Sequence, residues 1–334
     1  MNSSISDEAD VEQKELPTYI AIIEAGLLLL VSGIGIACNL LAFVVMVRHS
    51  AFKNSFGYLA ALCAFSNTAV LLCLVLWAVP WTIWSIPDEL QFLNLRFGPL
   101  SLSFFEATLH CTFFISVNRF VAITFPTHYK RIFTPGVTYS IIFYIIIIDV
   151  LYLCVYFRRG CDYFYQHSPS GWSFGSEPCS QFIAFYIDYY YNYSIFIAFF
   201  LLDIITALQL RSRRKKLMPH TPNTGAFRNN MEAKNERKEF MFSIQAVLCS
   251  FTYFILFVSA TSLASVVMSE FQMFLSGTLL WALVHTMGGV IFVTFNSEIR
   301  KHLPLTSERK KVSEAVISVT TASVRTTNSS VIRK

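Results

Sequence analysis

The chain reads as an all-α membrane protein, a bundle of seven transmembrane helices, and three observations predict this. Of its 334 residues 54% are hydrophobic and only 14% are charged, where a soluble domain carries about 25% charge. Mean hydropathy is +0.51, more apolar surface than one water-soluble core can hide. Seven apolar runs follow one another, each able at about 1.5 Å per residue to cross about 30 Å of hydrocarbon. A β-barrel would need short alternating segments, and none are seen. This composition excludes a disordered chain, a fibrous protein and an ordinary cytosolic enzyme. No basic stripe with interleaved aromatics suggests nucleic acid.

The runs cover residues 20–47, 56–84, 98–123, 136–157, 182–210, 240–267 and 274–295. The first follows an acidic leader (Asp7, Glu8, Asp10, Glu12, Glu15) and no small-residue cleavage site follows it. It is therefore read as a span and not as a removed signal peptide. The second is long and is broken by Pro80 and Pro87. The expected organisation is an extracellular N-terminus over 1–19, the bundle with a short cytoplasmic surface helix over 20–303, and a disordered cytoplasmic tail over 304–334.

Lys and Arg set the orientation. With the N-terminus outside, 22 of the 26 basic residues fall on the cytoplasmic side, leaving Lys14, Arg96, Arg158 and Arg159 outside. The positive-inside rule then predicts a multi-pass protein of the plasma membrane with an extracellular N-terminus. Asn2 opens an Asn-Ser-Ser glycosylation sequon on the side where such sites are used, and chance occurrence is an equal reading.

Six of the eight cysteines lie within runs, where a thiol behaves as a small apolar group. Cys161 and Cys179 share the outside loop 158–181, in an oxidising compartment. They form either a disulfide or two separate thiols. No cysteine or histidine spacing matches a metal site, and no cofactor is expected.

Asn39 lies in the first run, Asn67 in the second and Arg119 at the inner end of the third, 28 and 52 residues apart. Asn118-Arg119-Phe120 is followed by Pro126 and Tyr129. These residues resemble the signature positions of rhodopsin-like G protein-coupled receptors. An Arg at the membrane's inner edge is costly unless paired or hydrated. It can be held in a closed bundle and exposed to a partner when the sixth span swings outward. The bland alternative is a snorkelling anchor.

The finer pattern resembles the nematode serpentine receptor class X (Srx) chemoreceptors. It is carried by Ser55-Phe56-Gly57, Asn67, Asn118-Arg119-Phe120 with Pro126 and Tyr129, Cys161 and Cys179 around Trp172, Glu239-Phe240 with Gln245, and Trp281, His285 and Phe295 to Arg300. The resemblance spans about residues 20–303. It implies a seven-helix receptor in a sensory cell, with the sensory cilium as one location, that detects an environmental small molecule and activates a heterotrimeric G protein. Coupling would rest on Asn118, Arg119, Phe120, Pro126 and Tyr129. An intramembrane polar switch would involve Asn39, Asn67, Gly288, Gly289 and Asn296.

Departures from the rhodopsin pattern carry expectations of their own. Asn118 replaces the usual acid beside Arg119, which implies a weaker resting lock. Asn67 replaces an Asp, so a sodium site is not expected. Asn94 stands where a span-three cysteine usually tethers the second outer loop, which favours Cys161 pairing with Cys179. Gly288 and Gly289 stand near the site of a missing Pro, where a glycine pair can supply a bend.

Buried ionisable groups in spans are functional by default. Here they are Glu106, His110, Asp149, Asp188, Asp203 and His285. Glu106 and His110 share a helix face four residues apart and are expected to pair, either functionally or as a pin between spans. Glu106 is a ligand candidate on this ground; the family resemblance instead implies a pocket at Ser101, Leu102 and Phe105, one to two turns higher, with Asp188, Tyr189, Asn192 and Trp281 completing it. Trp77, Trp81 and Trp84 read as an interface belt.

Basic clusters at 211–216 and 234–238 suit anionic lipid headgroups and a G protein. The Ser/Thr-rich tail suits phosphorylation and an arrestin-type partner, or plain solvation. No enzyme motif is present. The competing readings are a peptide- or amine-type receptor of the same architecture and a transporter, which would show internal repeats.

Overall fold

A computed structural model describes residues 18–217, 244–245, 247–259 and 268–302. The Asn2 sequon, Glu239-Phe240, most of the basic loop before α7 and the Ser/Thr-rich tail lie outside the described residues.

Six apolar helices are long enough to cross a membrane: α1 (Thr18–Arg48), α2 (Ser55–Ile83), α3 (Gln91–Thr124), α5 (Pro135–Val155), α6 (Pro178–Arg213) and α8 (Glu270–Phe295). Helix α7 (Val247–Ser259) is the described part of the run expected over 240–267. Together they give the seven-helix bundle of a multi-pass membrane protein. Short helices α4 (Pro126–Ile132) and α9 (Ser297–Arg300) follow α3 and α8. Large apolar side chains face outward, such as Leu30, Leu76, Phe143 and Leu151, each more than half exposed. In water such a belt would drive aggregation; hydrocarbon covers it.

Sequence signals set the helix ends. The Asn54 side chain caps α2 by accepting from the Gly57 amide at 3.0 Å, and Thr134 caps α5 from Val137 at 3.3 Å. Ser269 and Gln272 form a reciprocal capping box at the start of α8. Pro80 does not break α2. The turn before it, Leu74–Ala78, widens to π geometry and absorbs the missing donor, so the helix continues to Ile83. Helix α3 begins at Gln91, about two turns before its apolar run. Arg96 therefore lies on a helix and not in a loop. Its Nη1 donates to the Tyr156 carbonyl at 3.0 Å, and its guanidinium lies over the Phe92 and Phe157 rings at 5.0 and 4.7 Å.

Helix α3 is the axis of the bundle, packed against α2, α5 and α6, while α1 packs against α2 and α8. Two apolar clusters fill the interior. One surrounds Leu71, Trp77, Leu102, Phe199 and Trp281; the other surrounds Ala42, Leu59, Cys111 and Phe292.

The loop before α6 holds structure that the sequence reading did not anticipate. Strands β1 (Tyr163–Gln166) and β2 (Gly171–Phe174) pair antiparallel, with Tyr163 opposite Phe174 and Tyr165 opposite Trp172. A disulfide joins Cys161 to Cys179, with Cα atoms 4.9 Å apart. The hairpin closes one end of the bundle, called here the hairpin end; the opposite end is marked by Arg119.

Trp77 departs from the expected belt. It is buried, stacks on Phe97 at 4.5 Å, and donates its indole N–H to Asn94 Oδ1 at 2.9 Å. Only Trp84, at the end of α2, is largely exposed.

Candidate functional site

At the hairpin end a cavity of about 420 Å³ lies between α3, α6, α7, α8 and the hairpin. That is within the range of small-molecule sites. Leu102 and Phe105 come from α3, Asp188 from α6, Trp281 from α8, and Tyr163 and Trp172 from the hairpin. The rings contact one another edge-on or stacked. Trp281 meets Phe105 at 6.0 Å and Trp172 at 6.2 Å, and Trp172 stacks on Tyr163 at 5.8 Å. Burial, and then the Asp188 carboxylate, push the Tyr163 phenol well above its usual range.

Two of the π-widened segments, Ile183–Tyr191 and Leu275–Leu279, border this cavity. The extra residue per turn rotates the helix face and brings Asp188, Gly277 and Thr278 to the cavity wall. A π turn leaves little mark on hydrophobic periodicity.

Of the residues expected at a ligand site, Leu102, Phe105, Asp188 and Trp281 line this cavity. Ser101 is buried and donates to the Gly98 carbonyl at 2.7 Å. Glu106 and Asn192 are buried and bonded to each other, with Asn192 Nδ2 2.5 Å from Glu106 Oε1. Tyr189 is 41% exposed and packs its ring parallel to Tyr193. His110 does not pair with the Glu106 side chain. Its Nδ1 meets the Glu106 carbonyl at 2.8 Å and lies 3.8 Å from Asp149, and its Nε2 meets the Tyr191 hydroxyl at 2.9 Å. A helical side chain four residues on reaches its own helix's carbonyl more easily than the previous carboxylate when another helix offers that carboxylate an amide.

Asn94 holds the hairpin on α3. Its Nδ2 donates to the Tyr165 carbonyl at 2.9 Å, and its Oδ1 accepts from the Tyr165 amide at 3.0 Å. The carboxamide thus acts as a strand partner for β1. Gly98, one turn on, permits the approach: a Cβ there would overlap the Tyr163 carbonyl. In the sequence Asn94 stands out only as a missing cysteine. Glu24 is absent from the expected site residues, although it is an acid inside the first apolar run that is 1% exposed, with Ser170, His167 and Glu270 around it. An ionisable residue within a span was the available signal.

Below the cavity a polar seam runs along α8. His285 lies one turn from Trp281, and its ring meets Phe105 and Trp281 at 5.9 Å each. Its Nδ1 lies 2.6 Å from Asn67 Oδ1. Asn39 Nδ2 donates to the His285 carbonyl at 3.1 Å and to the Gly35 carbonyl at 2.9 Å. Gly288 and Gly289 serve close approach and not a bend. Helix α8 runs unbroken from Leu280 to Phe295, and added Cβ atoms would lie 2.7 Å from Asn67 Nδ2 and 2.6 Å from Asn39 Nδ2.

The seam leads into a narrow interior space lined by Asn67, Arg119, Asp203, Gln245 and Gly288. The Arg119 guanidinium stands 4.9 Å over the Phe56 ring and is attracted by the Asp203 carboxylate of α6. Asp203 accepts from the Ser250 hydroxyl of α7 at 2.5 Å. An acid from another span thus supplies the charge that Asn118 lacks. Asn118 Nδ2 lies 3.3 Å from the Tyr129 hydroxyl, which fastens α4 to α3. Pro126 opens α4, Phe120 meets Phe125 at 6.3 Å, and Asn296 caps α9 by accepting from the Glu298 amide at 3.0 Å.

Comparison with known proteins gives the family. The chain is 26% identical over 298 residues to serpentine receptor class X 45 of Caenorhabditis elegans, covering 85% of this chain and 81% of that protein. The model of the family described as serpentine type 7TM GPCR chemoreceptor Srx matches residues 29–296. The chain therefore belongs to the Srx family of serpentine chemoreceptors, which are receptors and not enzymes.

Proposed function

We propose that this chemosensory receptor binds a small environmental chemical in the hairpin-end cavity and activates a heterotrimeric G protein at the Arg119 end. The observation that carries the reading is the seam from Trp281 through His285 and Asn67 to the space beside Arg119. A ligand that moves Trp281 moves His285 with it, because both are fixed on one helix turn. His285 in turn holds Asn67 of α2 and, through its carbonyl, Asn39 of α1. The energy that a ligand contributes is its differential affinity for the two arrangements of this network.

The orientation that goes with this reading places the hairpin and the N-terminus outside the plasma membrane, by the distribution of Lys and Arg. The Arg119 end then faces the cytoplasm. There the basic residues Arg211 and Arg213, with the following cluster in the sequence, meet anionic headgroups and the G protein. The C-terminal tail is the natural place for an arrestin-type partner, and a sensory cilium the natural location.

The experiment is a chemical screen in cells expressing the full chain with a promiscuous G protein and a calcium readout. Active chemicals are retested on Trp281→Ala at matched surface expression. The reading expects the response to weaken at least about tenfold, as for loss of a buried aromatic anchor. Equal responses would remove the cavity from the account.

A further inference from the structure

The hairpin-end cavity has one charged side chain in its wall, Asp188, among the described residues. Around it the wall is aromatic: Phe105, Tyr163, Trp172 and Trp281. Asp188 is only partly covered by protein, so its carboxylate borders the open space.

Among the described residues no Lys or Arg lines the cavity beside Asp188. Residues 239–299 contain no Lys or Arg, so neither α7, α8 nor the segment between them can supply one. Arg96 is held between two rings and the Tyr156 carbonyl. Arg158 and Arg159 are exposed.

Resting on the reading of this cavity as the ligand site, we infer that its ligand is a small organic cation, an ammonium group on an apolar or aromatic body. Two features of the wall recognise such a molecule together. The carboxylate supplies the counter-charge, and the ring faces attract a cation by their quadrupoles. A neutral odorant of the same shape fills the space but leaves the Asp188 carboxylate without a counter-charge. An anion meets the wrong sign. The cavity's volume of about 420 Å³ suits a single ring with a short chain.

The test uses the purified full-length receptor and two molecules of nearly equal shape, trimethyl(2-phenylethyl)ammonium and (3,3-dimethylbutyl)benzene. The first carries a permanent charge where the second has a carbon. Binding is read from the concentration dependence of thermal stabilisation. The expected result is that the cation binds at least about tenfold more tightly than its neutral isostere, the ratio expected for one charge-assisted contact. Asp188→Asn should abolish that ratio and Asp188→Glu should keep most of it. The comparison of the two probes on the unmodified receptor needs no variant to fold. If the isostere binds as tightly as the cation, or if Asp188→Asn keeps the preference, the inference is overturned while the cavity reading stands. If neither probe stabilises the receptor, both fall.

Discussion

The Asn94 carboxamide binds the Tyr165 backbone twice, accepting from its amide and donating to its carbonyl at 3.0 and 2.9 Å. With Trp77 donating to the same Oδ1, one side chain joins α2, α3 and the hairpin. Asn94→Ala leaves two buried backbone groups and an indole N–H without partners. The expected cost is about 2 kcal/mol or more. Hydrogen exchange at the Tyr165 amide should accelerate at least about tenfold if the hairpin lifts as a unit. Unchanged protection would mean that the disulfide and the rings hold the hairpin without Asn94.

The disulfide is the second fastening. Cys161 and Cys179 are 18 positions apart, so their bond closes a short loop in the unfolded chain. In the chain-entropy view that is worth about 3 kcal/mol. Cys161→Ser with Cys179→Ser should lower the melting temperature measurably, and it should weaken ligand binding because Tyr163 and Trp172 lie within the loop. A double variant that melts like the parent would argue against the bond in the folded receptor.

The glycine pair tests the seam. A Cβ on Gly289 would stand 2.6 Å from Asn39 Nδ2, and one on Gly288 would stand 2.7 Å from Asn67 Nδ2. Overpacking of this kind costs about 1–3 kcal/mol. Gly289→Ala should therefore reduce stability and surface yield. Gly33→Ala is the control: nothing lies within 4 Å of its Cβ, so added helix propensity should leave it neutral or slightly stabilised. Equal behaviour of the two variants would remove close approach as the reason for glycine here.

These residues show what the sequence could and could not disclose. The spans were legible because hydrocarbon demands long apolar runs, and the ends of α1, α5 and α8 fall within a few residues of them. Leu102 and Phe105 could be named in advance from the pocket position that the family resemblance implies, and Asp188 because ionisable residues inside spans are few. Asn94, Glu24 and the inward turn of Trp77 were not legible. Each depends on which residues a distant segment brings opposite. The π turns were hidden for another reason: a single added residue per turn leaves hydrophobic periodicity almost unchanged over so short a stretch. Asp203 was visible as a buried acid, but its pairing with Arg119 needed the packing of α6 against α3.

That pairing makes its own prediction. Asp203 sits between Arg119 of α3 and Ser250 of α7. Asp203→Asn keeps the shape and removes the charge, so the arrangement seen here should be disfavoured by about 1–2 kcal/mol. Basal G protein activity should rise about five- to thirtyfold at equal surface protein. A fall or no change would show that Asp203 does not hold the resting bundle.

The most direct measurement is the signalling of Arg119→Ala. Arg119 lies at the end of the bundle opposite the cavity, with its guanidinium over Phe56. Its removal leaves the cavity residues untouched. The assay is calcium release through a promiscuous G protein, driven by whichever chemicals activate the parent and normalised to surface protein. The account predicts that Arg119→Ala reaches the surface and still binds those chemicals, yet signals at least about tenfold less. A variant that signals like the parent at equal expression would reduce Arg119 to a membrane anchor and contradict coupling at that end of the bundle.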